Sequence, residues 1–389
     1  MLKIESQNTT RTVKDALYEM KYIVVGAGIM GASTAYRLAK EGAEVTVVDR
    51  RDQGQATEAA AGIVCPWLSL RRNQAWYQLA KGGAAFYPSL IAELKEDGET
   101  ETGYSKVGAI SIHMEDEKLS AMEERAVKRR EEAPEIGDIT RLSSIEARTL
   151  FPPLAEGFGA VHISGAARVD GRALRDALLR AAQKHGAELL YSDVSLYFEG
   201  NTVKGVQSNG RLLKADQVIV CAGAWAQSLF RPLGIQFNVQ YQKAQIIHLE
   251  YQNGDTARWP VVMPPNDQYL LAFENNRIIA GATHENIDKF DVTVTAGGLH
   301  EIFSKALAIA PGLAETRFLE ARVGFRPFTP GFLPVFGELP GWKGILTANG
   351  LGASGLTMGP YLGTQLAKLA LGYDCDIDWK KYDPAGAVE

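Results

Sequence analysis

The chain has 389 residues, enough for two or three structural units around a sizeable core. Hydrophobic residues make up 46% and charged residues 22%, which excludes intrinsic disorder and fibrous repeats. Lys and Arg total 41 against 46 acids, a formal charge of -5 with no basic block, so nucleic acid is not an expected partner.

Residues 1–19 are polar and are expected to form an N-terminal extension, with Met20 as an alternative start. They lack the apolar stretch of a signal peptide, and no run approaches the ~18 apolar residues of a membrane span, so a cytoplasmic location is expected. Cys65, Cys221 and Cys375 lie far apart, which leaves no local disulfide framework and no metal-ligand spacing. From Lys21 the text KYIVVGAGIMGASTAYRLAKEGAEVTVVDR predicts a buried strand, a glycine turn, a helix and a second buried strand, Val45 to Val48, as in a parallel sheet covered by helices. Gly26, Gly28 and Gly31 form G-x-G-x-x-G at the strand-to-helix turn, and Asp49 ends the next strand. The first glycine permits the turn, the second admits a pyrophosphate to the helix N-terminus, and the third lets helix and strand pack closely. Asp49 suits ribose hydroxyls. This set points to a dinucleotide and leaves FAD and NAD undistinguished.

Beyond Trp76 the pattern turns to charged helical segments, including a solvated face from Asp116 to Glu132. Asp170 is placed to cap a helix that carries Leu174, Ala177, Leu178 and Ala181 on one face and ends before Gly186. A strand is predicted from Gln217 to Cys221. Alternation from Phe237 to Gly281 reads as antiparallel strands with one wet face. The segments after Pro311 return to strand, glycine loop and helix, so both domains are expected to be discontinuous.

Further segments carry a more specific signal: TEAAAG with Thr57, Ala61 and Gly62; VHISGAARVDGRAL with Val169; VIVCAGAWA with Ala222, Gly223 and Trp225; RPFTPGFLPVFG with Arg326; and GLGASGLTMGP from Gly350. In this order and spacing they resemble the D-amino-acid oxidase family, the amine-oxidising flavoproteins that include glycine oxidase and monomeric sarcosine oxidase. The resemblance spans Met20 to Gly372. It implies an α/β fold with a Rossmann-like FAD-binding domain (20–75, 150–235 and 320–372) and an inserted, β-sheet-rich α+β substrate domain (76–149 and 236–319), followed by a C-terminal tail (373–389). It also implies that FAD is held in an extended conformation by Gly26, Gly28, Ile29, Met30, Gly31, Asp49, Arg50, Thr57, Ala61, Gly62, Val169, Ala222, Gly223 and Trp225. The loop Gly350, Gly352, Ala353, Ser354, Gly355, Leu356 and Thr357 would meet the flavin ring. The implied reaction oxidises the C–N bond of a D-amino acid or N-alkylated amino acid to an imino acid, by hydride transfer to flavin N5.

A carboxylated amine needs a planar cation, and Arg326 stands where the family places it, with Arg322 as the competing candidate. Tyr269 matches a tyrosine that reaches the substrate carboxylate in glycine oxidase, and His284 matches a residue lying over the flavin. Ala353 and Leu351 replace polar residues of relatives, which implies a less polar pocket and a substrate larger or more apolar than glycine. No cysteine lies near Phe325, where sarcosine oxidases attach FAD, so non-covalent FAD is expected. Ala244 stands where relatives usually carry glycine. The rival readings are a glycine oxidase of thiamine biosynthesis and a non-catalytic FAD-carrying subunit of a heteromeric amine dehydrogenase. The expected partner is a small amino-acid substrate, with homo-oligomer formation left open.

Overall fold

The computed structural model describes residues 20–389, so the expected extension 1–19 lies outside the described residues. Six strands form the first sheet in the order Val335–Glu338, Ile345–Asn349, Gln217–Val220, Lys21–Val25, Glu44–Asp49, Glu188–Tyr191. All neighbours are parallel except the edge pair Val335–Glu338 and Ile345–Asn349. Val24, Val47, Val48 and Ile219 are buried, as β-branched residues must be in a sheet covered on both faces.

Two helices start from this sheet, Ile29–Lys40 and Gly355–Ala370, and pack closely against each other through small residues. A Cβ on Gly363 would lie 2.6 Å from the Ser33 Cβ, and one on Gly359 would lie 2.9 Å from Ile29. This close crossing aims the two helix starts into one region. The helix Gly171–Lys184 is capped by Asp170, whose Oδ1 accepts from the amides of Arg172 (3.0 Å) and Ala173 (3.1 Å).

The second, nine-stranded sheet is mixed and mostly antiparallel. Its long strand Gln240–Glu250 pairs on one side with Arg317–Phe328, from Gln240 opposite Phe328 to Glu250 opposite Arg317, with one register shift between His248 and Leu249. On its other side it pairs with Arg277–Gly281, which in turn pairs with Tyr269–Ala272. Two strands that fall in the ranges assigned by sequence to FAD binding, the second from residue 320 onward, are hydrogen-bonded into this sheet: Gly159–Ile163, beside Ala109–His113, and Arg317–Phe328. Both pairings join segments about 50 to 90 residues apart, which local pattern does not reveal. Ile247, Leu270 and Ile278 bury the inner face of the sheet against the helix Ala296–Ile309.

Candidate active site

A deep cleft runs between the two sheets. At one end the strand Lys21–Val25 delivers the turn Gly26–Gly28. Gly26 adopts φ +103°, and a Cβ there would lie 2.5 Å from the Cys221 carbonyl oxygen, so only glycine fits. Gly31 is equally confined, with an added Cβ 1.8 Å from the Gly26 oxygen. Gly28 differs from both: a Cβ there would meet only the Thr57 Oγ1, at 3.5 Å. Protein packing therefore does not demand this glycine, and the space its missing side chain leaves belongs to the cleft. The helix Ile29–Lys40 begins here with no side-chain cap and no acid in its first turn. The Thr57 hydroxyl accepts from the Ile29 amide at 3.0 Å.

Asp49 is buried and accepts from three donors: Ala27 N at 2.7 Å, Arg51 N at 2.6 Å and Gln55 Nε2 at 2.8 Å. A carboxylate has about four acceptor positions, so the network fixes its orientation and leaves room for a further donor. Arg50 lines the cleft but is engaged with Asp52 and Asp193.

At the other end the helix Gly355–Ala370 also starts uncapped and free of acid. Tyr87 donates to the Leu356 carbonyl at 2.5 Å and Thr357 to the Ile63 carbonyl at 2.8 Å, which fixes that first turn. Gly350 and Gly352 have positive φ, and added Cβ atoms would strike Thr329 and Phe328; at Gly355 the nearest atom is 3.9 Å away. Two helix starts that lack an N-cap side chain and first-turn acids, with unfilled glycine surfaces in one cleft, make a cradle for an elongated anionic ligand. The residues present fit FAD: Gly28 and its helix start would take the pyrophosphate, Asp49 a ribose, and the Gly355 helix start the electron-rich edge of the flavin.

Of the residues expected at the cofactor, Gly26, Gly28, Ile29, Met30, Asp49, Arg50, Thr57, Ala61, Gly62, Ala222, Gly223, Trp225, Gly350, Gly352, Ala353, Gly355, Leu356 and Thr357 line this cleft. Gly31, Val169 and Ser354 stand behind it. The Val169 amide donates to the Gly62 carbonyl at 2.9 Å, and the Ser354 amide closes a turn on the Leu351 carbonyl at 3.0 Å. Two further residues without a motif of their own serve the site: Gln55, which steadies Asp49, and Asn349. Asn349 donates to the Gly223 carbonyl at 2.8 Å and accepts from the Gly350 amide at 2.7 Å, tying two glycine loops together. An asparagine at a strand end directly before a glycine was the available signal.

Tyr269 and Arg326 reach the same cleft from neighbouring parts of the large sheet. Among the described residues no carboxylate lies within 4.0 Å of the Arg326 guanidinium. Arg322 instead pairs with Glu320, with Nε donating at 2.8 Å, and lines a separate recess. Burial pushes the Tyr269 hydroxyl above the usual tyrosine value, and the Arg326 charge opposes the shift without reversing it. His284 does not line the cleft. It lies behind Arg326, whose Nη1 is 3.1 Å from the His284 Nδ1.

Among the described residues no helix is long and apolar enough to cross a membrane. Compared with known proteins, residues 21–369 match the family model described as DAO, FAD dependent oxidoreductase. The chain is 64% identical over 368 residues to the uncharacterized oxidoreductase YurR of Bacillus subtilis (strain 168), covering 94% of this chain and 99% of that protein. Its structure is similar to iminodiacetate oxidase from Chelativorans sp. BNC1, with TM-score 0.91 and 44% identity over 93% of this chain and 98% of that one. It is also similar to glycine oxidase from Geobacillus kaustophilus, with TM-score 0.82 and 26% identity over 94% and 98% of the two chains. The chain therefore belongs to the DAO family of FAD-dependent oxidoreductases, enzymes that act on the C–N bonds of amino acids and amines.

Proposed function

We propose that the protein oxidises an N-alkylated amino acid, a secondary amine bearing at least one carboxylate, to the corresponding imine. The observation that carries this reading is Arg326, a guanidinium on the cleft wall with no carboxylate partner among the described residues. A planar fork without an acid partner suits a carboxylate held through two parallel N–H donors. Tyr269, kept protonated by its burial, offers an O–H donor to the same group. Leu351 and Ala353 present apolar surface nearby, which suits an N-substituent larger than hydrogen. The 44% identity to an iminodiacetate oxidase, against 26% to a glycine oxidase, supports N-alkylated glycines over glycine itself.

Bound FAD supplies the two-electron acceptor for the reaction. The protein's own share is to grip the carboxylate at Arg326 and Tyr269, exclude water with Leu351, and present the positive start of the helix Gly355–Ala370 to the cofactor. Anaerobic mixing with iminodiacetate, sarcosine, glycine, D-alanine and proline, while the flavin absorbance is followed, tests the assignment. The N-alkylated glycines should bleach the flavin fastest. Arg326→Ala should retain FAD and lose about 3 to 5 kcal/mol of kcat/KM, with lysine rescuing it only in part. Glycine as the best substrate would return the glycine oxidase reading, and full activity in Arg326→Ala would overturn carboxylate capture.

A further inference from the structure

The His284 Nδ1 stands between a group that can only donate and one that can accept: Arg326 Nη1 at 3.1 Å and Gln242 Oε1 at 3.1 Å. A guanidinium has no acceptor, so an Arg326–His284 hydrogen bond requires the Nδ1 lone pair. A hydrogen bond to Gln242 requires a proton on Nδ1. The two bonds exclude each other, and the Gln242 amide is held in place by donating through Nε2 to Asn286 Oδ1 at 3.2 Å. We propose that His284 is a proton-linked positioning residue for Arg326: neutral and accepting from Nη1 in the free site, it takes up a proton when a carboxylate occupies the guanidinium, and passes its new N–H to Gln242.

The charges around the imidazole agree with this. Arg326 faces it from the strand Arg317–Phe328, and Asp267 Oδ2 lies 4.0 Å from Nε2. Lys305 and Glu301 come from the helix Ala296–Ile309, and Lys305 bonds both Asp267 (2.9 Å) and Glu301 (2.8 Å), so this trio keeps one net negative charge that offsets the Arg326 charge. Tyr269, neutral, is also in hydrogen-bond contact with Arg326. Burial first, then the Arg326 charge, hold His284 below the ordinary histidine value. A carboxylate on Arg326 cancels the second of these causes, so binding favours the protonated ring. Releasing Nη1 from His284 also frees a donor for the ligand, and neither role is open to a residue with a fixed charge.

The inference rests on Arg326 as the carboxylate anchor, and the experiment separates the two claims. Methoxyacetate keeps the carboxylate of an N-methyl amino acid but has an ether in place of the amine, so it is neither oxidised nor titrated near neutral pH. It would be titrated into the holoenzyme between pH 5 and 8, with proton uptake read by calorimetry in two buffers of different ionisation enthalpy. Wild type should bind more tightly as pH falls, by up to about tenfold per pH unit, and take up as much as one proton. His284→Gln should bind with an affinity independent of pH, and Gln242→Met should bind with less uptake. A flat wild-type profile without proton uptake, while Arg326→Ala abolishes binding, overturns the coupling and leaves the anchor standing. Unchanged binding in Arg326→Ala overturns the anchor and the coupling with it. PH dependence that persists in His284→Gln assigns the proton elsewhere and also overturns the proposal.

Discussion

His248 shows how strongly position decides what a side chain does, because it shares a strand with Gln242 yet belongs to the core. It is fully buried, neither ring nitrogen has a hydrogen-bond partner among the described residues, and Glu320 Oε1 lies 3.8 Å from Nδ1. Burial first, then the charges of Arg322 and Arg277, push its value from 6.5 down to about 3. The folded protein therefore keeps this ring neutral where the unfolded chain protonates it. Stability that is intact above the unfolded value is lost as pH falls from 6.5 toward 3, at a limiting slope of about 1.4 kcal/mol per pH unit. Between pH 7 and 5 this one residue should cost the fold about 2 kcal/mol. Urea midpoints at the two pH values check it: His248→Gln should lose less on acidification than wild type, and an equal loss in both proteins would assign the acid sensitivity to other groups. The contrast between Arg322 and Arg326 follows the same logic, since one guanidinium meets Glu320 and the other has no acid within reach among the described residues. Sequence could name both as candidates, but what each one pairs with depends on the register of distant strands.

The helix Gly171–Lys184 was legible because its signals are local: Asp170 before it, a small and apolar face along it, Gly186 after it. What remained invisible was the second use of the cap. Asp170 Oδ2 accepts from Arg277 Nη2 at 2.5 Å, a contact between the helix start and the large sheet that spans 107 positions in the chain. Burial raises the Asp170 carboxyl, but Arg277 and the two backbone amides hold it below the usual carboxylate range overall. Asp170→Asn keeps a capping oxygen and breaks the ion pair, while Asp170→Ala removes both. Loss of a cap alone costs about 1 kcal/mol, and leaving one member of this part-buried pair without its partner costs about 1 to 3 kcal/mol. Asparagine should therefore cost most of what alanine costs, as measured by chemical denaturation; a mild asparagine variant would assign the stabilisation to the cap. The same distinction explains the strands. The βαβ unit from Lys21 to Asp49 has hydrophobic runs, a glycine turn and a helix in direct succession, whereas the placement of Gly159–Ile163 and Arg317–Phe328 is decided only by partners folded in from elsewhere.

At the scale of the molecule, the cleft exists only when both sheets are in place, because Gly28, Asp49, Gly62, Gly223, Arg326 and Gly355 come from points along almost the whole chain. The cofactor half of this site was readable because phosphate and flavin cradles need glycine where backbone must approach a ligand, and glycine stands out in sequence; the substrate half rests on ordinary strand residues such as Tyr269. A ligand that bridges such a cleft binds the folded chain and not the unfolded one, so it should stabilise by about 2.7 kcal/mol at a free concentration a hundred times its Kd. FAD should leave with acid as intact FAD, since the one cysteine on the cleft wall, Cys221, is buried with its thiol pushed up to about 12 and has almost no thiolate to offer. Apoprotein made in this way should melt lower than holoprotein, and its Tm should climb continuously as FAD is returned. Gly28→Val is the decisive variant. Its new side chain starts in open space, with only the Thr57 hydroxyl within 4 Å of the Cβ, so the apoprotein should melt near the wild-type apoprotein. The FAD-dependent rise in Tm should vanish, because the valine occupies the ground that the pyrophosphate needs at the helix start. Gly31→Ala is the opposite case, since its Cβ meets the Gly26 carbonyl at 1.8 Å and the apoprotein itself should be destabilised. A Gly28→Val protein that still gains Tm with FAD would place the phosphates away from this turn, and the cradle would then have to be sought at the second bare helix start, beside Gly355.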